Sequence, residues 1–262
     1  VHAQRGGRIF PCIYALLPNK TERTYQRLFE QIFNRIRNDN LQDVLLDFEK
    51  AAMNSRHQPG INIYGCFFHL SSSVWKHIQQ YGYQQRYMND QPFALHCRMI
   101  SALAFLPEDT VINGFEQLSD TIREQFNGEI DQLLDYFEDT YIGRFRRNAP
   151  RGPAMYSLET WNMYHRTHDE LPRTNNSVVG WHRRFSSQVS SCHPIFWKFL
   201  ELLKDEENLI RIEIVQQLYG HPQPPQKQKY RDSNQRIITI LDDYRNRETI
   251  PYIRAMAYNL RI

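Results

Sequence analysis

The hydrophobic period of the chain changes once, near residue 85, and this limits the architectures open to it. Before that point, short apolar runs alternate with segments of helical spacing. "RIFPCIYALLPNK" is apolar from Ile9 to Leu17 and closes on Pro18 and Asn19, which predicts a strand; Pro11 favours an edge position. The residues before it can pair with it across Arg5-Gly6-Gly7-Arg8, a suitable hairpin turn. In "KTERTYQRLFEQIFNRIRND", Tyr25, Leu28, Phe29, Ile32, Phe33 and Ile36 recur at helical spacing behind Thr21, a good N-cap. "DVLLDFE" predicts a second strand, with Val44, Leu45 and Leu46 as buried filling, and "EKAAMNSRH" a short helix. "INIYGCFFHL" predicts a third strand, and "SSSVWKHIQQYG" a helix with serine caps that stops at Gly82. This alternation is an α/β pattern with a mixed sheet.

Beyond residue 85 only helical patterns follow. "FALHCRMISALAFL", "TVINGFEQLSDTIREQF" and "EIDQLLDYFEDTYI" are amphipathic, with no strand pattern between them. "GRFRRNAPRGPAMY" is a Pro/Gly/Arg loop. Helical spacing returns in "LETWNMYHRT", in "SVVGWHRRFSSQVS" and, most strongly, in "PIFWKFLELLKDEENLIRIEIVQQLYG". A polar linker, "HPQPPQKQKYRD", precedes at least one more helix.

Composition supports a packed protein. Apolar residues make up 41% and aromatics 13% of 262 residues, enough for a large core. The net charge of +3 suits a mildly basic domain and leaves a polyanion open as partner. No apolar run approaches membrane-helix length, and mean hydropathy is −0.65. Cys12, Cys66, Cys97 and Cys192 show no disulfide framework, which points to a reducing compartment. The opening Val1-His2-Ala3-Gln4 reads as the interior of a longer chain.

Few positions carry chemistry. Asp47 stands where a strand is predicted to stop, a common ligand position in open α/β sheets. It suits a hard divalent metal, or a cap for the next helix with Glu49 in the first turn. Cys66 and His69 have the spacing of one zinc-ligand pair, but the second pair a structural zinc needs is missing, because His96-Cys97 and Cys192-His193 are adjacent dipeptides. A buried cysteine with a hydrogen-bonded histidine is the other reading. In "ELPRTNNSVVGWHRRF", Asn175 and Asn176 suit a helix cap, while Arg173, Trp181, His182, Arg183 and Arg184 offer a basic-aromatic surface for a phosphate backbone. Arg144, Arg146, Arg147 and Arg151 form a second basic cluster, either a nucleic-acid contact or a solvated loop.

In order and spacing, "FPCIYALLPNKTERTY", "DFEKAA", "GCFFHLSSSVWKHIQQYGYQQRY", "ALAFLP", "YFEDTYIG", "WNMY" and "RTNNSVVGWH" resemble the MULE transposase domain of Mutator-like DNA transposases and of host genes derived from them. The resemblance runs over roughly residues 5–205. It implies a ribonuclease-H-like mixed sheet interrupted by an all-helical insertion. Residues 1–84 would form the first part of the core, 85–170 the insertion, 171–205 the last core helix and 206–262 a helical C-terminal extension. It also implies a site of two aspartates and a glutamate that binds Mg²⁺ or Mn²⁺ for cleavage and joining of DNA. Asp47 matches the second aspartate, and Cys66 and His69 match a supporting Cys-x-x-His signature rather than a zinc site. The first aspartate is expected on a strand upstream of Val1. The glutamate's position is Val179, which has no oxygen ligand.

Three functions follow as expectations. One is an active transposase needing Mg²⁺ or Mn²⁺. The second, favoured by Val179, is a domesticated or decayed relative without a cofactor; it keeps the fold and a weak, largely sequence-independent contact with DNA. The third is a protein-interaction module. The resemblance implies a nuclear location and DNA as partner, leaves homo-oligomerisation open, and gives no reason to expect a membrane or a small-molecule substrate.

Overall fold

The computed structural model describes residues 1–5, 8–36, 41–55, 60–189, 195–221 and 228–260. The expected turn at Gly6-Gly7, the Cys192-His193 pair and the Pro/Gln linker over 222–227 lie outside the described residues. The chain is a mixed α/β protein, dominated by helices.

Strand β1 (His2–Arg5) pairs antiparallel with β2 (Arg8–Pro11), with Arg5 opposite Arg8. β2 ends at Pro11, short of the predicted Leu17, with the Cys12 and Ile13 N–H groups donating to the Val1 carbonyl beyond it. Helix α1 (Glu22–Arg35) starts behind Thr21, whose side chain accepts from the Thr24 N–H, and it buries Phe29 and Ile32. Strand β3 (Asp43–Leu46) pairs in parallel with β4 (Asn62–Gly65), in a register that sets Leu46 beside Gly65. The short helix α2 (Lys50–Asn54) lies between them.

Two expectations are corrected here. Among the described residues the strands form two separate two-stranded ladders, not one mixed sheet, and the β3 side chains are only partly buried because one strand alone covers β3. The third strand stops at Gly65, and helix α3 (Phe67–Gln80) begins at once, so the serines lie inside the helix rather than capping it. Gly65 itself is forced by packing, because a Cβ there would overlap the Phe48 ring. Helix α3 ends as expected near Gly82, which has φ +78°.

Among the described residues no strand follows Gly65. Helix α4 (Gln84–Asn89) lies outside the main hydrophobic core with Tyr87 packed against it, and helices α5 (Gln91–Ala102), α6 (Val111–Phe126) and α7 (Asp131–Phe137) build that core with α3. The segment predicted as one helix around Trp161 divides into α8 (Leu158–Trp161) and α9 (Tyr164–His168). Asn162 interrupts it: its Oδ1 accepts from the Tyr164 N–H at 2.9 Å and its Nδ2 donates to the Leu106 carbonyl at 2.8 Å. Helices α10 (Asn176–Gln188), α11 (Phe196–Leu218), α12 (Gln228–Asp242) and α13 (Thr249–Tyr258) follow. α13 is integral to the helical core. Tyr252, Ile253 and Met256 are fully buried, and the Tyr252 hydroxyl donates to the Phe105 carbonyl at 2.7 Å.

Arg166 on α9 links this helical body to the β3–β4 ladder. Its side chain is only 5% exposed and reaches Asp43 at 3.2 Å. It also donates to the Pro172 carbonyl at 3.1 and 2.9 Å and lies 4.2 Å from the Tyr64 ring centroid. Removing one side of a buried, hydrogen-bonded ion pair strands its partners. Arg166→Ala is therefore expected to cost about 3–5 kcal/mol in urea denaturation. Arg147→Ala on the exposed loop should stay within about 0.5 kcal/mol of the parent.

Candidate functional site

Asp47 directly follows β3, and its direction is set by its neighbour. Phe48 turns inward and packs edge-on against Tyr156 at 4.9 Å and Tyr141 at 5.8 Å, leaving the Asp47 carboxylate facing out. Asp47 does not cap α2. Glu49 holds that position without a side-chain capping bond, and it lies within ion-pair range of Lys20 at 3.7 Å. Asp47 instead meets residues from two distant elements.

Cys66 is held by the ladder, its N–H donating to the Leu46 carbonyl at 2.8 Å, and it is the N-cap residue of α3. One turn on, His69 brings Nδ1 to 3.2 Å from Asp47 Oδ1. That contact is at ion-pair distance but is not aligned as a hydrogen bond, so Nδ1 is a buried atom with no hydrogen-bond partner.

Asn175 closes the arrangement. It is the N-cap residue of α10, yet its side chain makes no capping bond. Its Nδ2 donates to Asp47 Oδ1 at 2.5 Å, its Oδ1 accepts from the Cys66 thiol at 3.1 Å, and its N–H donates to Cys66 Sγ at 3.3 Å. The Arg173 carbonyl accepts from the Phe67 N–H at 2.9 Å and fixes the same loop to the start of α3. Asp47, Cys66 and His69 thus offer one oxygen, one sulfur and one nitrogen within 4.8 Å of one another.

Val179 lies four residues beyond Asn175, on the same face of α10, and its N–H donates to the Asn175 carbonyl at 3.0 Å. The position expected to bear the glutamate therefore follows the Asp47 contact by one helical turn but carries no donor. A magnesium or manganese pair wants oxygen ligands, several of them carboxylates. Among the described residues the gathered donors are one carboxylate, one thiol and one imidazole, a set that does not fit such a pair.

Several residues expected to face DNA are engaged by other groups of the protein. Arg173 donates to Asn234 Oδ1 at 2.8 Å and lies 5.8 Å from the Phe105 ring, and burial lowers its pKa from the usual arginine value. Trp181 stacks on Phe185 at 5.3 Å and donates to the buried Glu206 at 2.7 Å, which also pairs with Arg184. Arg144 reaches Asp135 at 2.9 Å as well as Glu138 and Asp139, and Arg151 bridges Glu116 and Glu138 at 2.6 Å each. The sequence pattern could not show these pairings because the acids lie on other elements. Arg144 and Arg184 stay about half exposed within these pairs, while Asn176, His182, Arg183, Arg146 and Arg147 are exposed with no ion pair among the described residues. Asn175 has a role that sequence reasoning missed. Its place at a helix start was legible, whereas its bond to Asp47 spans 128 residues and leaves no local signal.

Burial pushes the Cys66 thiol up, against the N–H groups of Asn175, His69 and Phe68, and raises Cys97 to about 12. The thiolate is the reactive form, so a raised pKa keeps both slow at neutral pH. In native protein treated with iodoacetamide, peptide mass spectrometry should find exposed Cys12 alkylated well before Cys66 and Cys97. Both buried cysteines should react at the rate of Cys12 only after denaturation.

No curated protein and no solved structure matches the chain significantly. A family model does match, over the segment that contains Asp47, Cys66 and His69. That segment, residues 1–73, is similar to the MULE transposase domain, and the match covers less than a third of the chain.

Proposed function

We propose that the chain is a catalytic-type domain of a Mutator-like transposase relative that keeps a ribonuclease-H-like, DNA-handling framework and has lost metal-dependent strand cleavage. The observation that carries this reading is the pairing of Asp47 with the start of α10 while Val179 occupies the adjoining turn. In this reading Asp47 is the transposase carboxylate, and the helix that should complete the site supplies valine. The parallel β3–β4 ladder, with Asp47 at the end of β3, agrees with a ribonuclease-H-like plan. In this reading Asn175 orients the Asp47 carboxylate, and Cys66 anchors Asn175.

DNA contact falls to the candidate arginines that are exposed without a carboxylate partner among the described residues, Arg146, Arg147 and Arg183, and is weak and largely independent of sequence. The same reading places the protein in the nucleus.

Nicking and binding measurements test this. Incubated with supercoiled DNA and Mn²⁺, the chain should show no nicking above background, and nicking by the unaltered chain would contradict the reading. In a form extended upstream of Val1 to bring in the expected first aspartate, Val179→Glu restores an oxygen donor on the Asn175 face of α10, and nicking that appears only in this variant would support a site disarmed at that position. Binding to duplex DNA should weaken with salt, log K against log salt having a slope of about −2 to −3 for roughly three phosphate contacts. Arg147→Ala should make that slope shallower by about 1.

A further inference from the structure

We propose that Asp47, Cys66 and His69 form an open three-ligand site for a borderline divalent cation of the zinc class. The site rests on geometry alone and holds whether or not the chain handles DNA. The three ligand atoms converge from the end of β3 and the first turn of α3 to within 4.8 Å of one another. Zinc bonds of about 2.0–2.3 Å put tetrahedral ligands roughly 3.3–3.8 Å apart, so side-chain shifts of about 1 Å close the set. The His69–Asp47 edge is already at 3.2 Å.

Ligand chemistry selects the ion. Sulfur and imidazole nitrogen favour zinc, cobalt and their neighbours over magnesium, which prefers oxygen. His69 Nδ1 is buried without a hydrogen-bond partner, so a cation would satisfy an atom the fold leaves unpaired. Cys66 stands at the N-terminus of a 14-residue helix and accepts from the Asn175 N–H, two features that favour a thiolate and act against the effect of burial. As the sulfur–metal bond forms, the thiol proton leaves to solvent. Asn175 keeps its bond to the ligating carboxylate, the kind of outer support that metal sites use. The site lacks a fourth protein ligand among the described residues, which distinguishes it from a closed structural zinc site. Asp47 is half exposed, so the fourth position opens to water or to a phosphate oxygen.

The test is a titration of the metal-free chain with Co²⁺, read by the thiolate-to-cobalt charge-transfer band. One Co²⁺ per chain should saturate the band, Zn²⁺ should abolish it by displacement, and a large excess of Mg²⁺ should leave it unchanged. Cys66→Ser should remove the band. His69→Asn, at a partly exposed position that is safer for folding, should weaken binding by at least about tenfold while the circular dichroism spectrum stays the same. Absence of the band in the parent chain would overturn the proposal. So would a band that survives in Cys66→Ser, which would come from another cysteine, or unchanged affinity in His69→Asn.

Discussion

The guanidinium of Arg166 sits where the two parts of the molecule meet, and the geometry around Asp47 depends on it. It pairs with Asp43 at the start of β3, covers the Tyr64 ring on β4, and gives two hydrogen bonds to the Pro172 carbonyl, three residues before Asn175. A charge this buried is tolerated because each of its three nitrogens donates to a fixed acceptor and its face lies over an aromatic ring. The same side chain that fixes the ladder therefore fixes the loop that carries Asn175 towards Asp47.

From that anchor the site assembles by short-range constraints. Gly65 admits the Phe48 ring, and Phe48 turns Asp47 outward. The ladder then continues into Cys66, which starts α3 and puts His69 one turn away on the carboxylate side. Asn175 joins the two by using its backbone N–H and both ends of its side-chain amide. Four polar groups from three regions of the chain thus meet with their hydrogen bonds directed at one another. His69 Nδ1 is the exception, buried beside the carboxylate without a hydrogen bond of its own.

Much of this was legible in the sequence, and the failures have physical causes. Thr21 capped α1 as its residue type dictates, and the shift to helical spacing after residue 85 matched the absence of described strands beyond Gly65. The strand expected to run through "GCFFHL" became a helix because apolar residues at positions 67, 70, 74 and 78 also fit helical spacing, and they are buried against the helical core. A short apolar run is ambiguous between the two periods, and tertiary packing decided it. The basic clusters misled for another reason. Charge along a sequence does not reveal that Arg144, Arg151 and Arg184 are matched by Glu138, Glu116 and Glu206 on other elements. The place of Asn175 at a helix start was legible, but its side chain makes no capping bond and its long-range bond to Asp47 was not legible.

The site holds together only if Asn175 and Asp47 are energetically joined, and a double-mutant cycle measures that directly. Stabilities of the parent, Asp47→Ala, Asn175→Ala and the double variant would be compared by urea denaturation. A hydrogen bond to a half-exposed carboxylate predicts a coupling energy of about 0.5–2 kcal/mol. Single-variant effects that simply add would show that the start of α10 is not held by Asp47, and the site would lose its closing contact.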